Sequence, residues 1–96
     1  MMRAHLDVGA SNLAIRNGSL KGIIERVFAV AKPEAAYFFV ESGHRTMLAV
    51  LDIADPSLIP QIAEPLFQDL DADVTILPVM ISPELEQGLA SWVKAA

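Results

Sequence analysis

The sequence predicts an α+β fold: a four-stranded antiparallel sheet covered on one face by helices, with one further helix at the C-terminus. Three observations lead there. Two strand-like runs, Ala36-Tyr37-Phe38-Phe39-Val40-Glu41 and Thr46-Met47-Leu48-Ala49-Val50-Leu51-Asp52, flank Ser42-Gly43-His44-Arg45 and read as a hairpin. Segments with apolar residues at helical spacing lie before and after this hairpin. A short alternating segment opens the chain, and another strand-like segment precedes the last helix. The hairpin runs depart from the usual pattern. A half-exposed strand alternates apolar and polar residues because successive side chains point to opposite faces, whereas these runs are apolar on both faces. Such a sheet needs cover on both sides. The chain has too few helices to supply it, so a second copy of the chain is expected over the open face.

Strand one is expected over residues 2–8, with Met2, Ala4, Leu6 and Val8 on one face and Arg3, His5 and Asp7 on the other. Gly9-Ala10-Ser11-Asn12 reads as a turn in which Ser11 or Asn12 caps a short helical start over residues 13–16. Asn17-Gly18 interrupts that start, and Ser19 is a second cap residue. From there Leu20, Ile23, Ile24, Val27, Phe28 and Ala31 follow helical spacing, with Lys21, Glu25 and Arg26 on the wet side. Lys32-Pro33 ends the helix, because a residue before proline is disfavoured in the helical region. After the hairpin, Asp55-Pro56 opens the next helix as a capping acceptor followed by proline. Its inner face is Ile59, Ile62, Ala63, Leu66, Phe67 and Leu70. Pro60 is tolerable near the helix start. Pro65 is expected to kink or split the helix, since an interior proline removes a backbone bond and clashes one turn back, costing about 3 kcal/mol. A fourth strand follows over residues 73–79, and Ser82-Pro83-Glu84 caps a last helix with the apolar stripe Leu85, Leu89, Trp92 and Val93. The order strand, helix, strand, strand, helix, strand is the split β-α-β arrangement of ferredoxin-like (βαββαβ) domains.

The hairpin loop decides which residues share a face. A two-residue loop, Ser42-Gly43 or Gly43-His44, sets odd positions of strand two beside even positions of strand three. Phe38, Val40, Met47, Ala49 and Leu51 then lie under the helices. Tyr37, Phe39, Glu41, Thr46, Leu48, Val50 and Asp52 lie on the open face, joined by Arg3, His5, Asp7, Thr75 and Leu77. A three-residue loop would reverse the assignments in strand three.

Composition narrows the partners. The length suits one domain spanning residues 1–96. The hydrophobic fraction is 53%, against roughly 45–50% in ordinary domains, which suggests surface hidden by oligomerisation. No apolar run approaches the roughly 18 residues of a membrane span, and the N-terminus lacks the apolar core and cleavage site of a signal peptide. The expected location is the cytoplasm, with no membrane partner. The absence of cysteine excludes disulfides, thiolate zinc sites and cysteine nucleophiles. A net charge of −5 and seven scattered basic residues argue against nucleic acid. The five glycines form no phosphate-cradling loop, and there is no Gly-x-Ser-x-Gly elbow. Neither a metal nor a cofactor is expected.

The segments Lys32-Pro33-Glu34-Ala35-Ala36-Tyr37-Phe38, Ile62-Ala63-Glu64-Pro65-Leu66-Phe67 and Pro78-Val79-Met80-Ile81-Ser82-Pro83-Glu84-Leu85 resemble a group of short, uncharacterised bacterial proteins of the dimeric α/β-barrel superfamily. The likeness covers nearly the whole chain, and none of its motifs is catalytic. That superfamily includes small monooxygenases acting on polycyclic phenols, muconolactone isomerase, haem-degrading enzymes and ligand-sensing domains. The resemblance implies two ferredoxin-like sheets packed face to face in a homodimer, with a ligand cleft on the open face. It does not select a chemistry, because function lives in the site and not in the fold.

Within that face His5 is the candidate catalytic residue, since its pKa class suits acid–base work near neutral pH. The alternative is a histidine satisfied by a neighbouring carboxylate or backbone group at the dimer interface. Tyr37, Phe39, Glu41, Leu48 and Val50 are the candidate ligand-binding residues: a phenol and a carboxylate in an apolar cleft can orient a small organic, hydroxylated aromatic molecule. Tyr37 and Glu41 read equally well as interface surface and a solvated strand end. His44, Arg45 and Asp52 read as turn or strand-end charges, and His5 and His44 lie most of a strand apart in this reading. The functional expectation is a homodimeric small-molecule-binding domain. Its alternatives are a cofactor-independent isomerase or monooxygenase-like enzyme acting on a largely apolar or aromatic compound, and a purely structural interaction module.

Overall fold

Alternation carries β1 (Met2–His5): Met2, Ala4 and the following Leu6 are buried, while Arg3 and His5 are half-exposed. The strand stops three residues earlier than its pattern suggested. Asp7 supplies the reason, as its carboxylate accepts a 2.9 Å hydrogen bond from the Ala10 N–H and so caps α1 (Val8–Arg16). Two expectations are corrected together. Residues 9–12 are helix rather than turn, and Asp7 serves a helix end instead of extending the open face. Ser11, read as a cap, is a buried helical residue whose Oγ accepts from Arg45 Nη1 at 2.7 Å.

The computed structural model describes residues 1–95. After α1 come α2 (Leu20–Ala31), β2 (Ala35–Glu41), β3 (His44–Val50), α3 (Leu58–Leu70), β4 (Asp73–Ile76) and α4 (Ser82–Ala95). Ser19 holds the N-cap position of α2 without a side-chain cap bond, and Lys32 ends that helix in the left-handed region at φ 45°. The cap of α3 falls at Ser57, two residues after the expected Asp55, whose Oδ1 accepts from the Ser57 N–H at 3.0 Å. That bond is the main reason its carboxyl lies below its ordinary pKa. Pro65 neither splits nor ends α3, which runs as one helix on both sides of it. Buried Ile62, Ala63, Leu66 and Leu70 hold it in place, so tertiary packing outweighs the local cost.

The four strands form one antiparallel sheet in the order β2-β3-β1-β4. This order is compatible with a ferredoxin-like arrangement. The hairpin has the two-residue loop Ser42-Gly43, both residues at positive φ (53° and 77°), as a type I′ turn requires. Tyr37 therefore pairs with Leu48 and Phe39 with Thr46, as the two-residue register demands. β4 ends at Ile76 rather than at residue 79. The core lies on the helix side, where Met2, Ala4, Met47 and Ala49 meet Ile23, Val27, Ile62, Leu66 and Leu70.

Cover on that side is incomplete. Along the row Phe38–Met47–Ala4–Val74, Met47 and Ala4 are buried, while Phe38 at the β2 edge is 62% exposed. Val40, one position further along that side, is 77% exposed. Their expected burial beneath the helices is thus corrected: they face the helical side, where the Phe28 ring of α2 lies 6.4 Å from that of Phe38, but both stay largely exposed. Phe67 is likewise 43% exposed rather than on the inner face of α3. Finally, α4 contains no buried residue among those described and packs extensively against no other element. The radius of gyration is 16.2 Å, against about 12–13 Å for a compact chain of this length. The longest dimension reaches 57 Å.

Candidate functional site

The sheet register assembles the open face in rows. One row runs Tyr37–Leu48–Arg3–Thr75 and the next runs Phe39–Thr46–His5–Asp73. Three of the five candidate ligand-binding residues, Tyr37, Phe39 and Leu48, thus lie together in two adjacent rows. Val50 pairs with Ala35 at one end of β3, and Glu41 pairs with His44 at the other. Tyr37, Phe39 and Glu41 are exposed or half-exposed, as are Leu48 and Val50. The pattern is an apolar floor with its charged groups gathered toward the hairpin end.

His5 and Glu41 meet there. Nε2 of His5 lies 2.7 Å from Oε1 of Glu41, although the two residues stand on β1 and β2 with β3 between them. The residue of β3 opposite His5 is Thr46, which is only 2% exposed and turns its hydroxyl to the His44 carbonyl at 3.1 Å. A small side chain at this position leaves room for the bridge across the strand. Nε of Arg3 comes within 3.6 Å of the same carboxylate oxygen, within ion-pair range but long for a hydrogen bond.

The hydrogen bond from His5 holds the Glu41 carboxyl below its ordinary pKa, helped by the positive charge of Arg3. Glu41 therefore favours the carboxylate, the form that orients an imidazole by accepting its N–H. With the folded-state pKa lowered, the stability that Glu41 contributes is present above the ordinary glutamate range near about 4.3 and is lost as pH falls through it and below. Replacing His5 with alanine is expected to raise the Glu41 carboxyl toward its ordinary value in an NMR titration. An unchanged Glu41 titration would assign the shift to Arg3 instead.

Beside the pair, a depression of about 490 Å3 opens at the sheet end, lined by His5, Asp7, His44, Asp71 and Asp73 among others. Three carboxylates make this mouth acidic, so it suits a neutral or cationic group better than an anion. His44 is closer to His5 than the sequence reading allowed: the ring centroids are 6.3 Å apart, because the tight turn places His44 at the first position of β3. Its Nδ1 lies 2.9 Å from the Ser42 carbonyl. Among the described residues, no three His, Cys, Asp or Glu side chains converge in a way that would hold a metal ion, and no helix is long and apolar enough to cross a membrane.

His5 and Glu41 were both visible in the sequence as open-face residues, but their pairing was not, because it depends on the register of three strands. Arg3 was placed on the same face and given no role. Its alternation with the apolar residues of β1 was the only signal. Arg45, read as a solvated turn charge, instead ties β3 to α1 through Ser11. Asp52 is exposed beyond the end of β3. Set against protein-family models, curated proteins and solved structures, the chain matches none of them.

Proposed function

We propose that this chain is a homodimeric small-molecule-binding domain of the ferredoxin-like, dimeric α/β-barrel kind, working in the cytoplasm. Two open sheet faces oppose each other across a cleft that takes a small, largely apolar organic compound. The observation that carries the reading is the composition of that face: Tyr37, Phe39 and Leu48 around one polar focus, the His5–Glu41 pair. Ligand sites combine apolar walls with a few convergent polar groups in this way, whereas a face evolved only for packing has little use for an ion pair beside its apolar floor.

The His5–Glu41 bond also favours a second reading, an isomerase or cofactor-independent oxygenase in which His5 moves a proton and Tyr37 orients the substrate. A carboxylate that fixes the imidazole tautomer is the usual support for general acid–base work. Light scattering followed by native mass spectrometry of the purified protein tests both readings. A dimer carrying a co-purified organic molecule supports the cleft and gives its chemical class. An empty dimer moves the weight to an interaction module, and a monomer overturns the proposal.

A further inference from the structure

α4 ends the described chain as an arm. Its apolar side chains Leu85, Leu89, Trp92 and Val93 recur at helical spacing, so they form one stripe, and all four are exposed, Trp92 at 68%. The segment leading into it adds exposed Val79, Met80 and Ile81. An isolated helix of about 12–15 residues is marginal in water even with favourable propensities. α4 has 14 residues, includes Gly88 and is opened by Ser82-Pro83, so it needs a surface to lie on. Among the described residues its one side-chain hydrogen bond to backbone is local, from the Ile81 N–H to Glu84 Oε1.

A matching surface exists on the helix side of the sheet. Between α2 and the exposed β2 edge runs a groove of about 310 Å3 whose apolar lining is Leu6, Leu20, Ile24, Phe38, Val40 and Met47, with Phe39 at the strand edge. The polar residues on its walls are already engaged: Arg45 donates to Ser11 and Thr46 donates to the His44 carbonyl. The open face is a poorer acceptor for an apolar stripe, because a leucine- and tryptophan-lined helix laid directly on the Arg3–His5–Glu41 cluster would desolvate charged groups. Dimensions agree as well. At about 1.5 Å per residue α4 is about 21 Å long, and at about 3.4 Å per residue the seven-residue β2 is about 24 Å long.

We propose that α4 is an exchanged arm, laid in the α2–β2 groove of a second copy of this chain while that copy returns its own arm. The occupant is another copy because stripe and groove are both intact on one chain, while α4 buries none of its described residues and packs extensively against no element of its own chain. Reciprocal exchange also doubles every buried area, moving a single-helix contact toward the roughly 1,200–2,000 Å2 of a specific interface. This exchange uses the helix side of the sheet and stands whether or not the open faces bind each other.

The chain has no cysteine and one tryptophan, which makes the test direct. Val40→Cys and Leu89→Cys are made as separate proteins, mixed, and treated with a short bismaleimide. The expected product is a covalent heterodimer containing one chain of each. In the unmodified protein, Trp92 emission is expected to be blue-shifted at high concentration and to move to the red on dilution. A cross-link confined to single chains of a Val40→Cys/Leu89→Cys double variant, with concentration-independent emission, means docking on the same chain and overturns the exchange. Water-like Trp92 emission at every concentration overturns docking altogether. Repeating the mixture in a Val50→Asp background separates the two interfaces: the heterodimer still forms if only the open-face contact has been lost.

Discussion

Replacing Leu66 with alanine is expected to lower the melting temperature by about 10 °C or more. Leu66 is fully buried at the centre of α3, in the same core as Met2, Ile62 and Leu70. A leucine-to-alanine change in such a place removes buried apolar surface and leaves a cavity, costing about 2–5 kcal/mol. In a domain of this size each kcal/mol shifts the melting temperature by about 4–8 °C. The neighbouring Phe67→Ala is the internal control. Phe67 is larger but 43% exposed, so it is expected to cost less than half as much. Thermal unfolding followed by far-ultraviolet circular dichroism checks both. A larger loss for Phe67→Ala would show that the helix presents a different face to the sheet.

The second large effect concerns association. Val50→Asp is expected to weaken open-face dimerisation by about 100-fold or more, with the subunit still folded. Val50 lies in β3 on the open face and is only partly buried in the single chain, so an aspartate there remains hydrated when the chain is alone. Opposed to a second apolar sheet it becomes a buried, unpaired charge, a defect worth about 3–5 kcal/mol. Each 1.4 kcal/mol is about tenfold in affinity. Sedimentation equilibrium on Val50→Asp and on Val50→Ala reads the difference. If Val50→Asp associates as tightly as Val50→Ala, the open face is not the dimer contact.

Arm exchange and an open-face cleft would make two distinct interfaces from one short chain, and they would account for different parts of its apolar excess. The open face carries Tyr37, Phe39, Leu48 and Val50. The helix side carries Phe38 and Val40 on one surface and the α4 stripe on another. The doubly apolar β2 run, Tyr37 to Val40, is the strand that contributes to both. An edge strand with apolar side chains on both faces is a liability unless something covers it.

Much of this was legible from local pattern. A tight turn within Ser42-Gly43-His44-Arg45 was legible, since few backbone solutions join two twisted strands so closely, but the choice of Ser42-Gly43 over Gly43-His44 or a three-residue loop, and with it the register, came from the structure. α2 and the inner face of α3 followed from helical spacing, since Ile23, Val27, Ile62 and Leu66 repeat with the turn of the helix. The start of α1 was missed for a physical reason. Asp7 continues the alternation of β1 and is also a strong helix cap, and residues 8–12 have too little periodicity to say which role wins. Pro65 was overrated because a local penalty was weighed without the packing that opposes it.

The sequence by itself determined the order of the four strands, the helices α2, α3 and α4 among them, the hairpin, and which side chains of each strand share a face with one another, because each follows from spacing and turn chemistry within a few residues. Only the tertiary structure decided that His5 meets Glu41 across β3, that Arg45 reaches Ser11, and that the β2 edge and α4 remain uncovered. Those contacts join residues more than 30 positions apart or depend on where whole helices end. No local pattern encodes them, because they arise when separate elements are brought to one place.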